Sequence, residues 1–178
     1  MSNYKRVFLD NHYYFMTVLI NNRKLTLLTD YIENLKLALK TVKSQYKFEL
    51  YAIAVMPDHF HMIIMPQKAT DYPTIIACLK RNFSKSLPKD IRQKLAQHLS
   101  SSKRKNYESG VWHRRYYEHT IRNQKELNHI TDYIHYNPVK HGYVKKVKDW
   151  QYSSFMKFVD KGFYDDNWCD FSEKIDYD

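Results

Sequence analysis

Two histidines separated by one residue, in the segment Val55-Met-Pro-Asp-His-Phe-His-Met62, have the types and spacing to do chemistry together. Side chains at i and i+2 of a β-strand share a face, so His59 and His61 project side by side while Phe60 points the other way, into a core. Paired imidazoles are a ready half of a divalent-metal site. The same spacing also suits two ordinary polar residues on an exposed sheet, and H-x-H alone carries little weight. A second pair lies further along. Leu127, Ile130 and Ile134 recur at steps of three and four, which marks an amphipathic helix over about 125–137. Tyr133 and Asn137, four apart, sit one above the other at the edge of its apolar face. A phenol titrating near about 10 is a weak nucleophile at neutral pH and needs activation. An amide oxygen one turn away could hold the metal that touches the phosphate under attack. Each residue also has an ordinary role, Tyr133 as a rim tyrosine and Asn137 as a helix-ending residue before Pro138.

The elements that must position these groups are legible in outline. Residues 13–20 are aromatic and β-branched and read as a first strand. Ile32, Leu35, Leu39, Val42 and Tyr46 mark a helix, with Asp30 and Glu33 suited to its start. Phe48 to Met56 is a second strand, and the Pro57-Asp58 turn leads into a third, His59 to Met65, as a hairpin. Tyr72, Ile75, Ile76, Leu79 and Phe83 form one side of the next helix. Residues 88–110 form an excursion, with a short helix through Ile91, Leu95 and Leu99 and a basic loop at 100–105. Trp112 to Ile121 reads as a fourth strand. Glu126 to Tyr136 is a helix that Pro138 and Gly142 should stop. The order predicts an α+β fold, a ferredoxin-like or RRM-like βαββαβ sandwich with an antiparallel sheet and helices on one face. The expected organisation is one domain over 1–150 and a C-terminal extension, 151–178, docking through Trp150, Phe155, Phe158 and Trp168.

Bulk composition narrows the partner. The 178 residues include 29 Lys and Arg against 19 Asp and Glu, a formal charge of +10, which suits a polyanion. Aromatic residues reach 16%, and cations mixed with rings fit single-stranded nucleic acid. Candidate phosphate contacts are Lys80, Arg81, Lys85, Arg114, Arg115, Arg122, Lys140, Lys145 and Lys146, with His119 a further candidate for phosphate or metal; any of them also fits a solvated surface. No apolar run is long enough for a transmembrane helix, so no membrane association is expected. Cys78 and Cys169 match no metal spacing and form no disulfide framework, which makes a reducing cytoplasm the expected compartment.

Three blocks taken in order carry a family likeness: Val55–Met62, Trp112-His-Arg-Arg-Tyr-Tyr-Glu-His-Thr-Ile-Arg122, and Asp132-Tyr-Ile-His-Tyr-Asn-Pro-Val-Lys-His-Gly142. Together they resemble the REP-associated tyrosine transposases, a branch of the single-tyrosine HUH transposases. The resemblance runs from about Tyr13 to the Trp150 region. It implies that His59 and His61 are paired metal ligands and Tyr133 the nucleophile. Asn137 would stand where relatives often carry a glutamine ligand. The implied reaction cuts and rejoins single-stranded DNA, leaving a 5′-phosphotyrosine and a free 3′-OH, at hairpin-bearing, REP-like targets. The cofactor would be a divalent metal, Mg2+ or Mn2+, with the imidazole and amide donors favouring Mn2+ somewhat. Tyr136, Tyr116 and Tyr117 are the competing nucleophiles. A catalytically decayed hairpin-binding protein is the alternative, and an RNA-binding domain on the same sandwich a third reading, without RNP-like motifs to support it. Either a monomer or a homodimer would serve.

Overall fold

The computed structural model describes residues 6–97 and 110–168. The basic loop expected at 100–105, Leu99 and Cys169 lie outside the described residues. Strand β1 spans Tyr14–Leu19 and is followed by the short helix α1, Leu27–Asp30, and by α2, Ile32–Gln45. The hairpin strands are β2, Phe48–Val55, and β3, His59–Pro66. Helices α3, Tyr72–Ser86, and α4, Lys89–Gln97, come next, then β4, Tyr117–Thr120. Helix α5 runs from Gln124 to Lys140, and α6 from Phe155 to Asp160.

The four strands form one sheet in the order β2-β3-β1-β4, each pair antiparallel. This is the expected ferredoxin-like order, with one difference in the layers. Helices α2 and α3 cover one face, packing on Tyr14, Met16, Val18, Phe60, Met62 and Ile64. Helix α5 covers the other, on Phe15, Ala52, Ala54 and Ile63. The helices therefore lie on both faces, and α5 sits over the histidine strand. The reason is visible in β1 and β3, whose residues are buried along nearly their whole length; a strand so apolar on both sides needs cover on both sides. A β-bulge between Leu50 and Ala52 resets the register of β2. It leaves two small side chains, Ala52 and Ala54, under the helix beside His61.

Both ends of α5 are defined by side-chain and backbone caps. Asn123 accepts a hydrogen bond from the Glu126 amide at 2.9 Å, and the Glu126 carboxylate reaches back to the Arg122 amide at 2.6 Å. Pro138 does not stop the helix but lies inside its last turn. The ring removes one N–H, yet the turn closes beyond it. The Gly142 amide donates to Val139 O at 2.9 Å and the Tyr143 amide to Pro138 O at 3.0 Å. Those are the two bonds of a Schellman cap, and Gly142 supplies its left-handed residue at φ +73°. The expected fourth strand is shorter than Trp112–Ile121. Trp112 makes only an isolated bridge to Ile20, and regular pairing begins at Tyr117.

The segment after α5 packs on the β2 edge. Trp150 Nε1 donates to Val55 O at 3.0 Å, and the Ser154 amide to Ile53 O at 2.8 Å. Buried Phe155 and Phe158 close the α5 side, where the His135 ring meets both. Among the described residues no helix is long and apolar enough to cross a membrane.

Candidate DNA-cleavage site

The β1–β3 register sets the first half of the site. Thr17 lies opposite His61, and Leu19 opposite His59. His59 and His61 are buried, at 1% and 0% exposure, with ring centroids 4.9 Å apart. Their shared face is thus beneath α5 rather than open to solvent. Each ring is held at Nδ1: His59 by the Asp58 carboxylate at 2.7 Å, His61 by the Thr17 hydroxyl at 2.9 Å. Holding each ring at Nδ1 fixes its orientation. Burial alone would raise the Asp58 carboxyl, but hydrogen bonds and charge from His59 and Arg23 bring it down to about 2. Arg23 closes that pair through Nε at 2.7 Å.

Helix α5 supplies the second half. The Tyr133 ring meets His61 at 5.3 Å and Phe15 at 6.1 Å, both edge-on. Asn137, one turn on, is fully buried, and the Lys140 ammonium lies over the Tyr133 ring at 5.2 Å. Among the described residues, His59 Nε2 and both side-chain atoms of Asn137 are buried without a hydrogen-bond partner. An unmet buried polar atom costs about 1–3 kcal/mol, so such a group needs a function or a ligand to explain it. No three His, Cys, Asp or Glu side chains among the described residues form a metal-holding group. Imidazole nitrogen and amide oxygen are donors that suit a divalent cation.

Sequence reasoning missed three neighbours. Asp58 and Thr17 orient the imidazoles, and the His141 ring stands 5.2 Å from His59, delivered by the turn that caps α5. The Pro-Asp turn was the available signal for Asp58, since only its position next to the first histidine marks it. His141 follows a helix end that only the Schellman bonds define.

The competing tyrosines separate by face. Tyr116 packs away from the histidines, under the Arg6 guanidinium and the Lys80 ammonium. Tyr117 shares the histidine face, two strands from His61. The basic candidates divide likewise. Lys80, Arg81 and Lys85 belong to α3, on the opposite face of the sheet. Lys80 is engaged within the fold: its ammonium donates to His113 O at 3.0 Å, lies over the Trp112 ring, and is brought down to about 8 by burial. Arg114, Arg115, Arg122 and Lys140 are exposed, and His119 is half-buried against Glu126 at 2.8 Å.

An antiparallel sheet carries a histidine pair beneath a tyrosine-bearing helix, and comparison with known proteins gives the class, a transposase. The family described as IS200-like transposases matches residues 8–137. The chain belongs to that family, and within it to the REP-associated tyrosine transposases. A Haemophilus influenzae protein, provisionally described as a REP-associated tyrosine transposase, is 44% identical over 169 residues, covering 94% of this chain and 93% of the relative. The REP-associated tyrosine transposase of Escherichia coli K12 is 35% identical over 170 residues, 95% of this chain and 92% of that protein. A solved structure of a REP-associated tyrosine transposase bound to a REP hairpin superposes with a TM-score of 0.80. It is 34% identical, and the match covers 99% of this chain and 95% of that one.

Proposed function

We propose that this transposase cuts and rejoins single-stranded DNA beside hairpins of the REP type, with Tyr133 as nucleophile and His59, His61 and Asn137 as metal ligands. The observation that carries the reading is the Tyr133 ring against His61, beside the buried His59 Nε2 and Asn137 amide, which lack protein partners. The hairpin comes from the relative solved with one bound.

In the first step Tyr133 Oη bonds to phosphorus and the P–O3′ bond breaks; the phenolic proton passes to solvent, and the departing 3′-oxygen takes one up from solvent to leave as a hydroxyl. The product is a 5′-phosphotyrosine. A 3′-OH attacking that link reverses the step and restores Tyr133, so the bond energy is conserved and no nucleotide cofactor is needed. Bound Mg2+ or Mn2+ would polarise the phosphate and offset its developing charge. Asp58 and Thr17 fix the two rings, Phe15 backs the phenol, and Lys140 supplies positive charge beside it. One chain holds every named group, so a monomer suffices for cleavage.

The test is incubation with hairpin-bearing single-stranded DNA and Mn2+, followed by a denaturing gel. A shifted, protease-sensitive band is the expected covalent adduct. Tight binding with no adduct would leave only the hairpin-binding reading.

A further inference from the structure

Tyr117 is a large aromatic residue beside the site that the reaction above does not use. It lies on β4 opposite Thr17, and Thr17 lies opposite His61, so the three share one row across the α5 face. With strands about 4.8 Å apart, Tyr117 is roughly 10 Å from His61 along that row. Its inner neighbour is Phe15, edge-on at 6.0 Å, and Phe15 also supports Tyr133. The rings of Phe15, His61 and Tyr133 are buried, whereas Tyr117 is 43% exposed. Helix α5 packs mainly over β2 and β3 and meets β4 through Glu126 and His119, while Tyr117 stays partly exposed at the β4 end of the row. The exposed residues His113, Arg114 and Arg115 lead into the same strand.

We propose that Tyr117 is a stacking platform for a DNA base flanking the scissile phosphate, with Arg114 and Arg115 holding the backbone of that strand. The inference rests on the cleavage reaction proposed above. An exposed ring next to cations is what single-stranded DNA recognises, because every base has a π-face and every linkage a charge. The row shared with Thr17 and His61 specifies which nucleotides are involved. A strand whose phosphate reaches Tyr133 and His61 carries its neighbouring base along the row toward Tyr117. Readout by stacking tolerates sequence, so this contact contributes grip and registration of the cleaved strand, while target choice resides elsewhere.

Binding of the oligothymidylate dT20 to the full chain, without metal so that no cleavage occurs, tests the ring and the charges separately. Tyr117→Leu is expected to weaken binding about five- to hundredfold with no change in the slope of log K against log salt. Tyr117→Phe and Tyr117→Trp should stay within about twofold of wild type, which separates stacking from any role of the hydroxyl. Arg115→Ala should instead reduce the slope by about 0.7. Position is read by photocrosslinking 5-iododeoxyuridine placed on either side of the mapped cleavage position, with the crosslink expected at Tyr117. Wild-type affinity in Tyr117→Leu, equal loss in Tyr117→Phe, an unchanged slope in Arg115→Ala, or crosslinks landing away from β4 would overturn the proposal. A wild-type protein that forms no covalent adduct would sink the cleavage reaction instead, and the dT20 measurements tell the two failures apart.

Discussion

His135→Gln tests how the helix that carries Tyr133 is anchored. His135 is fully buried on α5, two residues beyond Tyr133, with Nε2 2.9 Å from Ser154 Oγ and Nδ1 3.3 Å from the Tyr164 hydroxyl. Ser154 is itself tied to β2 through Ile53, and Tyr164 donates to Asp132 at 2.6 Å. Burial brings the imidazole down to about 3 from an ordinary 6.5, so it stays neutral in the folded chain. Unfolded, the same group protonates below about pH 6.5. Between those values the unfolded state binds the extra proton, so stability rises with pH and is lost as pH falls below about 6.5. The loss is RT ln(1 + 10^(6.5 − pH)), near zero at about pH 7.5 and about 1.4 kcal/mol at about pH 5.5. Glutamine keeps a polar side chain toward Ser154 and cannot titrate. It should cost on the order of 1–2 kcal/mol at neutral pH through lost ring contacts with Phe155 and Phe158. The decisive quantity is the double difference from urea unfolding at the two pH values. Wild type should lose about 1.4 kcal/mol more than the variant on acidification. Equal losses would mean that His135 is not held neutral, and would refute the reasoning.

Other substitutions probe the remaining supports. His59→Ala or His61→Ala should abolish cleavage in a gel assay while DNA affinity stays within about tenfold, roughly 1.4 kcal/mol. Glu126→Ala removes the acceptor for the Arg122 amide and the partner of His119. It should cost about 1 kcal/mol, seen as a thermal midpoint lowered by about 2–4 °C. Gly110 has φ +75°, and an added Cβ would stand 2.6 Å from the Leu95 carbonyl oxygen. Gly110→Ala should therefore destabilise by on the order of 1–3 kcal/mol in chemical denaturation, with the loss centred on α4.

Much of the site could be read from residue spacing because its parts are local. The H-x-H pair needs only a strand, and Tyr133 with Asn137 needs only a helix. Their meeting was less legible, because it depends on which face α5 chooses. The run of Tyr13 to Ile20, apolar on both faces but for Thr17, held that information, since a strand buried on both sides requires a second helical layer. Pro138 misled because proline usually ends a helix, and the Schellman bonds that carry the turn past it are backbone interactions with only Gly142 as a sequence mark. Lys80 read as a surface cation by type, but the fold closes Trp112 and Tyr116 around it. Thr17 could not be found at all, because only the register of β1 against β3 brings its hydroxyl to His61.

The central claim is that Tyr133 bonds to DNA, and peptide mapping of the covalent product tests it most directly. After digestion of the wild-type adduct by protease and nuclease, mass spectrometry should place the nucleotide remnant on Tyr133. Tyr133→Phe keeps the ring that packs on Phe15 and His61, so the variant should fold and bind DNA yet yield no adduct. A remnant on Tyr136 or Tyr117, or an undiminished adduct in Tyr133→Phe, would contradict the account.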